Sequence, residues 1–332
     1  MSLDRIRPRF VLSRRALAAS VMAGAAALAL PLPAMAEIKK LDIIAPANPG
    51  GGWDQTARAM QSALQADKLA SGVQVENIGG AGGTIGLAQF VSSRGKKGDA
   101  VLVGGLVMEG AILTNKSPVT LADVKPLARL TGEYQPLVVA ADSPIKSLAD
   151  LIAKFKADPG SVSWGGFALG SPDHILSALI VQAVGGDVAK MNYIVAGAGG
   201  EMLAQVMGGH LTVATGGLNE MAQQIATGKL RALGISSPER LPGVDMPTFK
   251  EQGVDVTLVN WRGLVAPAKM RAADVKSLDE AMAAMVQSAP WQALLKERGW
   301  VDMYQSSEEF AAFLTPERAR IEGILKDLGL VQ

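Results

Sequence analysis

Five clusters of glycine have the residue type and spacing that could bind a ligand, and each lies between a predicted strand and a predicted helix. They are Gly50–Gly52, Gly79–Gly83, Gly165–Gly166, Gly197–Gly200 and Gly216–Gly217. Glycine lets a backbone come close to a ligand, and the N-terminus of the following helix favours an anion. Tight strand–helix turns would explain any one cluster equally well. Five clusters predict a cleft that holds a small carboxylate with neutral donors, without lysine or arginine.

Side chains for catalysis or metal binding are scarce. The chain has no cysteine and only two histidines, His174 and His210. A transition-metal site or a nucleophile paired with a base therefore has few candidates, and disulfide bonds are excluded. We expect no catalytic residue, no metal and no cofactor. An exported hydrolase built on the same sheet is the enzymatic alternative, and turnover abolished by one Ser or His substitution would establish it.

A nucleotide site is not indicated. The segment 79–86 resembles a dinucleotide-binding loop only loosely, because the spacing is not Gly-x-Gly-x-x-Gly followed by an acidic residue at the next strand end. The chain also has no Gly-Lys-Ser/Thr phosphate-binding loop.

Residues 1–36 have the pattern of a cleaved signal peptide: a basic start, an apolar run over 16–30, and Ala34-Met35-Ala36 before the cleavage point. The apolar run is too short for a membrane anchor. Ser13-Arg14-Arg15 hints at twin-arginine export, although ordinary Sec export fits better. We therefore expect a soluble periplasmic protein, acting as a monomer.

Loss of this segment changes the charge of the chain. It removes five Arg and one Asp from 32 basic and 31 acidic side chains, leaving 27 and 30, a formal net charge of −3. A weakly acidic surface argues against a nucleic-acid partner, because that binding depends on neutralising phosphates.

Short β-branched runs alternate with helical segments and predict an α/β fold with two doubly wound lobes of mostly parallel sheet. We expect the chain to cross between lobes at 140–143 and at 256–262. Lobe 1 would then be discontinuous, with residues 37–140 and 262–332, and lobe 2 would hold 141–261. Ser147 and Asp150 predict a capped helix start. Residues 272–330 are predicted to be almost entirely helical.

Four segments carry a resemblance to a known family: Pro49–Arg58, Glu76–Gly86, Gly228–Ser236 and Trp261–Pro267. In this order they resemble the extracytoplasmic solute receptors of tripartite tricarboxylate transporters, the Bug or TctC family, over essentially all of the chain after residue 36. The resemblance implies a type II periplasmic-binding-protein fold that closes on a small di- or tricarboxylate, citrate-like, and delivers it to membrane subunits of the transporter. A carboxylate sensor that feeds a signalling receptor is the alternative.

The resemblance also implies which residues bind the ligand, largely through loop backbone amides. Those of the first lobe are Asn48, Gly50, Gly51, Trp53, Asp54, Ala81, Gly82 and Gly83. Those of the second lobe are Gly170, Ser171, His174, Gly199, Gly217 and Asn219. The chain departs from the family pattern at Trp53, where many members have Pro followed by Thr or Ser, and in the loop 104–110, which lacks the usual serine-rich turn.

Individual side chains also have structural interpretations. Asp54 would repel a carboxylate, so we expect it to order the first loop, and Arg58 is spaced for an i,i+4 ion pair with it. His174 is interpreted as a histidine satisfied within a helical turn. Ser171 and Asn219 are uncharged donors in cleft loops. Trp53 either walls the pocket or covers the core. His210 is interpreted as structural.

Overall fold

The computed structural model describes residues 37–94, 98–196 and 199–332. The predicted signal peptide, residues 1–36, lies outside the described residues, and so do 197 and 198 of the fourth glycine cluster. The described strands form one sheet of six strands and one of five.

The six-stranded sheet has the spatial order β11-β4-β10-β3-β1-β2. Its strands, in chain order, are β1 Ile38–Ala45, β2 Ala70–Asn77, β3 Ala100–Gly105, β4 Val124–Tyr134, β10 Val259–Pro267 and β11 Val301–Gln305. Strands β1, β2 and β3 are parallel, whereas β10 is antiparallel to β3 and β4, and β11 is antiparallel to β4. Because β4 runs in the same direction as β1, β2 and β3, four of the six strands are parallel, and β10 opposes them because it brings the chain back from the second sheet.

The five-stranded sheet has the order β7-β6-β8-β5-β9. Its strands are β5 Pro136–Ala140, β6 Ser163–Gly166, β7 Asn192–Val195, β8 Val213–Thr215 and β9 Leu230–Ile235. Strands β6, β7 and β8 are parallel, and β5 is antiparallel to β8 and β9. This sheet is mixed for the same reason, since β5 carries the chain in from the first sheet.

The first transition between the sheets lies at Gln135. Strand β4 ends at Tyr134 in the first sheet, and β5 begins at Pro136 in the second. Because the whole of β5 pairs with strands of the second sheet, the transition precedes the crossing predicted at 140–143. The return lies before Val259, where β10 rejoins the first sheet.

The strand directions bring the loops together. Strand β4 ends, and β5 begins, where the chain passes from one sheet to the other. Because β3 runs in the same direction as β4, the carboxyl ends of β1, β2 and β3 lie on that side. Because β6, β7 and β8 run opposite to β5, their carboxyl ends lie near the start of β5. They therefore face the carboxyl ends of β1, β2 and β3. Ligand-binding loops of open α/β sheets lie at such ends.

Ten helices accompany the sheets in the described residues. They are α1 Gly52–Ala66, α2 Thr84–Arg94, α3 Leu106–Thr114, α4 Leu148–Ala157, α5 Pro172–Ala183, α6 Gly199–Met207, α7 Leu218–Ala226, α8 Ala272–Gln287, α9 Ala289–Arg298 and α10 Ser307–Asp327. The predicted cap of α4 is confirmed: Ser147 Oγ accepts from the Asp150 amide, and Asp150 Oδ2 accepts from the Ser147 amide.

The C-terminal segment differs from the helical prediction at β11, which separates α9 from α10. Gly299 ends α9 with a positive φ of 64°, a conformation that glycine adopts without steric cost. The chain then pairs Val301 and Asp302 with Gly132 and Thr131 of β4. Thr131 Oγ1 donates to the Val301 carbonyl and strengthens this edge.

Apolar side chains of both sheets are buried against the helices. In β1, Leu41, Ile43 and Ile44 are at most 1% exposed, because helices cover the sheet on both faces. Trp261 of β10 packs edge-on against Phe310 and Phe313 of α10. Among the described residues, no helix is both long enough and apolar enough to cross a membrane.

Candidate functional site

A cavity of about 280 Å³ lies where the carboxyl ends of the two sets of parallel strands face each other. Residues from both sheets and from the Gln135 transition line it. They are Ala47, Gly52, Trp53, Val107, Glu133, Gln135, Phe167, Ala168, Ser171, Pro172, Asp173, Gly217, Glu220, Asn260 and Arg262. We call this space the main cavity. Its size suits a small molecule with few carbon atoms.

Three helices begin at the main cavity. Helix α1 begins at Gly52, α5 begins at Pro172 after the N-cap Ser171, and α7 begins after the N-cap Gly217. Each N-terminus carries the positive end of a helix dipole, and together they favour a negative charge in the cavity. The glycine clusters before α1 and α7 thus position helix N-termini as the sequence pattern predicts.

A buried ion pair lies in the lining of the cavity. Arg262 Nη2 donates to Glu133 Oε2 at 3.0 Å, and both side chains are less than one-tenth exposed. The two residues are diagonal neighbours in the antiparallel pair β4–β10, because Arg262 lies opposite Thr131 and Asn260 lies opposite Glu133.

The guanidinium of Arg262 is held from two further sides. It lies over the ring of Trp300, 5.0 Å from the centroid, in a cation–π contact. A Cβ atom at Gly52 would lie 2.8 Å from Nη2, so a larger residue there would displace the guanidinium. Nη1 is buried and has no hydrogen-bond partner within the described part of the chain. Arg262 therefore lines the cavity with its guanidinium fixed, and one of its nitrogens has no acceptor among the described residues.

Glu133 reaches the N-terminus of α7. Its Oε1 accepts from the Asn219 amide at 3.4 Å, and a Cβ atom at Gly217 would lie 2.5 Å from the same oxygen. Glycine at 217 therefore permits this close approach. The Asn219 amide therefore donates to the Glu133 carboxylate. The negative charge of Glu133 partly offsets the positive end of the α7 dipole.

Asp173 and Gln135 form a second polar group in the cavity. Gln135 Nε2 donates to Asp173 Oδ1, and the Phe167 amide donates to Asp173 Oδ2 at 2.9 Å. Burial raises the pKa of Asp173 to about 7, assisted by Glu220 and Glu133 and opposed by these hydrogen bonds. Gln135 Oε1 is buried without a hydrogen-bond partner among the residues described.

Glu220 is the third carboxyl group in the lining. Its Oε2 accepts from the Gly217 amide at 3.2 Å. Burial raises the pKa of Glu220, the nearby Glu133 raises it further, and Arg262 opposes the change. Three carboxyl groups thus share the cavity with Arg262, the one cationic side chain among its described lining residues.

A second cavity of about 190 Å³ adjoins the first and shares Val107, Ala168 and Ser171 with it. Its other lining residues include the predicted Ala81, Gly82 and Gly170. Ala81 and Gly82 have positive φ values of 46° and 61°, and Thr84 Oγ1 donates to the Ala81 carbonyl. This adjoining cavity carries no charged side chain in its described lining.

Some of the predicted site residues line one of the two cavities, and the others line neither. Trp53, Ser171 and Gly217 line the main cavity, and Ala81, Gly82, Gly170 and again Ser171 line the adjoining one. The predicted residues that line neither cavity, all within the described chain, are Asn48, Gly50, Gly51, Asp54, Gly83, His174, Gly199 and Asn219.

Asp54 orders the first glycine loop, Gly50–Gly52, by accepting a hydrogen bond from it. Its carboxylate accepts from the Gly50 amide at 2.8 Å and from Asn77 Nδ2 at 2.9 Å, and it pairs with Arg58 at 2.9 Å. Burial alone would raise the pKa of Asp54, but Arg58, the Gly50 amide and Asn77 hold it below its ordinary value. The partners of Asp54 are therefore protein groups, and Arg58 pairs with it at the i,i+4 spacing expected from the sequence.

His174 is bonded within its own turn. Its Nδ1 accepts from the Gly170 amide at 3.2 Å, and its ring lies 4.1 Å from that of Tyr193. Burial lowers the pKa of His174 to about 4, so the imidazole is neutral at pH 7. Ser171 Oγ accepts from the His174 backbone amide rather than donating to the ring. The two side chains do not form a nucleophile–base pair.

The expectation that neutral donors hold the ligand without lysine or arginine did not include Arg262, which lines the main cavity. Sequence reasoning also missed Glu133, Gln135, Asp173 and Glu220. Arg262 gave one usable signal, because it interrupts a strand of otherwise apolar residues, Trp261–Pro267. A charge inside a buried strand is rarely tolerated unless it is paired or functional.

Metal binding has no candidate group here: residues 37–94, 98–196 and 199–332 contain no cluster of three or more His, Cys, Asp or Glu side chains arranged to hold an ion.

Comparison with known proteins connects this geometry to a family. The family model described as "Tripartite tricarboxylate transporter family receptor" matches residues 56–330. Protein BugT of Bordetella pertussis is 28% identical over 304 residues, which cover 88% of this chain and 90% of that protein.

Solved structures show the same fold. A TctC solute-binding protein from Polaromonas, determined with no ligand, has a TM-score of 0.73 and 26% identity, covering 87% of this chain and 99% of its own. An R. palustris protein solved with adipate has a TM-score of 0.75 and 24% identity, covering 88% of this chain and 97% of its own. Both structures share the fold of this chain, and the Polaromonas protein and the family model are both described as receptors or solute-binding proteins.

Proposed function

The chain belongs to the tripartite tricarboxylate transporter receptor (TctC) family, and from this we propose that it captures a small di- or tricarboxylate in the periplasm and delivers it to the membrane subunits of such a transporter. A citrate-like acid is the starting candidate for the ligand. The chain acts as a monomer whose two lobes close on the ligand.

The observation that carries this proposal is the buried guanidinium of Arg262, which lines a cavity where three helices begin and whose Nη1 has no partner among the described residues. A buried guanidinium nitrogen without an acceptor is costly. A ligand carboxylate would supply that acceptor and would also lie at the positive ends of α1, α5 and α7. The adipate in the R. palustris structure is a carboxylate of suitable size.

Thermal-shift measurements on the protein with a panel of carboxylates test the capture step. A ligand at about 100 times its Kd adds roughly 2.7 kcal/mol to the free energy of unfolding. We expect at least one di- or tricarboxylate to raise the melting temperature, while its uncharged diamide does not. Stabilisation by sugars or neutral amides alone, with none by carboxylates, would rule out the proposal.

Delivery needs a separate test. Cells that contain the membrane subunits should take up the labelled carboxylate only when this chain is also present. Uptake that is unchanged by removal of the chain would separate it from transport and favour a sensory role.

A further inference from the structure

The main cavity carries more negative than positive charge. Its described lining includes the acids Glu133, Asp173 and Glu220 and one cation, Arg262. Glu133 and Arg262 form an ion pair at 3.0 Å, so their charges cancel within the lining. Asp173 and Glu220 are therefore the excess, and we call them the acid pair. An anionic ligand would enter a cavity in which the ionised acid pair repels it.

The acid pair lies at the helix N-termini that would attract such a ligand. Asp173 is in the first turn of α5, and Glu220 is in the first turn of α7. Glu220 Oε2 accepts from the Gly217 amide at the start of α7. While these carboxyl groups are ionised, they offset the positive ends of α5 and α7. Protonation of the acid pair would leave those positive ends to the ligand.

The groups that face Asp173 do not neutralise it. Burial raises the pKa of Asp173 to about 7, and the charges of Glu220 on α7 and Glu133 on β4 raise it further. On β7, the Tyr193 phenol is neutral, because burial and the nearby Asp173 raise its pKa. His174, the next residue on α5, has a pKa lowered by burial to about 4 and is neutral as well.

Asp173 can take up a proton and keep its present hydrogen bonds. Gln135 Nε2 donates to Oδ1, and the Phe167 amide donates to Oδ2. A carboxylate has about four lone-pair sites, so each oxygen retains one. Because charges interact through space, the Asp173 carboxyl group responds to the charge of a ligand in the cavity without touching it.

We propose that this chain captures its carboxylate together with a proton, which passes from the solvent to the acid pair, chiefly to Asp173, as the anion enters the main cavity. The proposal rests on the function proposed above and adds the charge balance of the same site. A negative ligand favours the protonated form of a nearby carboxyl group. Binding therefore takes up protons, and the affinity falls as pH rises.

Titration calorimetry measures this proton uptake directly. The probes are adipate, malate, succinate and any other acid of the carboxylate panel that raises the melting temperature; their carboxyl groups are ionised above about pH 7. The heats of binding in Tris and in HEPES, two buffers with different heats of ionisation, give the number of protons per bound acid. At pH 8 we expect about 0.5–1 proton, and Kd should rise about threefold to tenfold per pH unit from pH 7 to 8.5. Toward pH 6, where Asp173 already carries its proton, the profile should flatten.

The Asp173→Asn variant tests whether Asp173 receives the proton. We expect it to lose most of the proton uptake and to bind with a flat pH profile. Its affinity should equal that of the unchanged protein at pH 6 and exceed it about tenfold at pH 8.5, where the unchanged protein carries the repelling charge. A folding defect would weaken binding at both pH values, so this pattern identifies an electrostatic effect.

The Glu220→Gln variant is a second and milder test, since glutamine retains an acceptor for the Gly217 amide. Removal of this negative charge should tighten binding about threefold at pH 8.5. Glu280→Gln on α8 is the matched control, because Glu280 is exposed and pairs with the exposed Lys276. It should leave both the affinity and the proton uptake unchanged.

Three results would overturn proton-linked capture alone: carboxylate binding at pH 8 without net proton uptake, an uptake that Asp173→Asn leaves intact, or a Glu220→Gln variant that binds no tighter at pH 8.5. Failure of every acid of the panel to bind, both at pH 6 and at pH 8.5, would instead overturn the proposed function itself.

Discussion

Arg262 and Glu133 meet diagonally across β10 and β4, with Nη2 and Oε2 3.0 Å apart, although 129 positions separate them in the chain. The pair joins the two strands next to the points where the chain passes between the sheets. Since Nη2 is bonded to Glu133, the guanidinium is held in a defined position, and its Nη1 has no partner in the part of the chain that the structure describes. The pair therefore fixes both side chains in the lining of the main cavity.

Replacement of Arg262 by Met should abolish most carboxylate binding. Loss of a charge-assisted hydrogen bond costs about 1.5–3 kcal/mol, which weakens the Kd about tenfold to hundredfold. The variant also leaves the Glu133 carboxylate buried without its Arg262 partner. We therefore expect its free energy of unfolding to be about 3–5 kcal/mol lower. The double variant Arg262→Met/Glu133→Gln removes the unpaired charge. It should recover much of the stability, measured by urea denaturation, but none of the binding. Recovery of binding in the double variant would show that Arg262 acts only structurally.

Gly217→Ala should impair the site because a Cβ atom there would lie 2.5 Å from Glu133 Oε1. We expect a destabilisation of about 1–3 kcal/mol, as for other overpacked sites, and a weaker Kd for the carboxylate. Gly323→Ala in α10 is the control, since nothing lies within 4 Å of its Cβ position. It should gain about 0.5–1 kcal/mol from helix propensity. Equal behaviour of the two variants in thermal melts and calorimetry would contradict the close packing at Gly217.

Asp54→Asn should loosen the first glycine loop without removing a ligand contact. The amide nitrogen of asparagine would face the donors of Gly50, Asn77 or Arg58, at a cost of about 1–3 kcal/mol. Because the folded pKa of Asp54 is below its ordinary 3.8, its contribution is complete above that pH and is lost as pH falls through the folded pKa. The difference in unfolding free energy between the two proteins should therefore shrink in strong acid. A loss of affinity as large as that of Arg262→Met would mean that Asp54 touches the ligand.

His174 should make the protein sensitive to mild acid. Its folded pKa of about 4 lies below the ordinary 6.5, so the unfolded chain takes up a proton first. Stability is complete above pH 6.5 and falls by on the order of 3 kcal/mol as pH drops from 6.5 to 4. His174→Asn, whose Oδ1 can accept from Gly170, should lack this part of the decline. Parallel pH profiles of unfolding free energy for the two proteins would contradict the neutral, buried imidazole.

The sequence predicted those parts of the site that depend on local order. Glycine before a helix start, and a serine three residues before an acid, are patterns within a few residues, so the helix N-termini at Gly52 and Ser147 were foreseeable. The charged centre was not, because Arg262 and Glu133 come together only through the antiparallel register of β4 and β10. The edge strand β11 was missed for a similar reason, since its pairing partner β4 lies far back in the chain.

A crystal structure of the protein with its tightest-binding carboxylate tests the central claim most directly. We expect a ligand carboxylate oxygen within about 3 Å of Arg262 Nη1, inside the main cavity and facing the N-termini of α1, α5 and α7. A ligand bound only in the adjoining cavity at Gly82 and Gly170, with Nη1 of Arg262 still unbonded, would contradict the account.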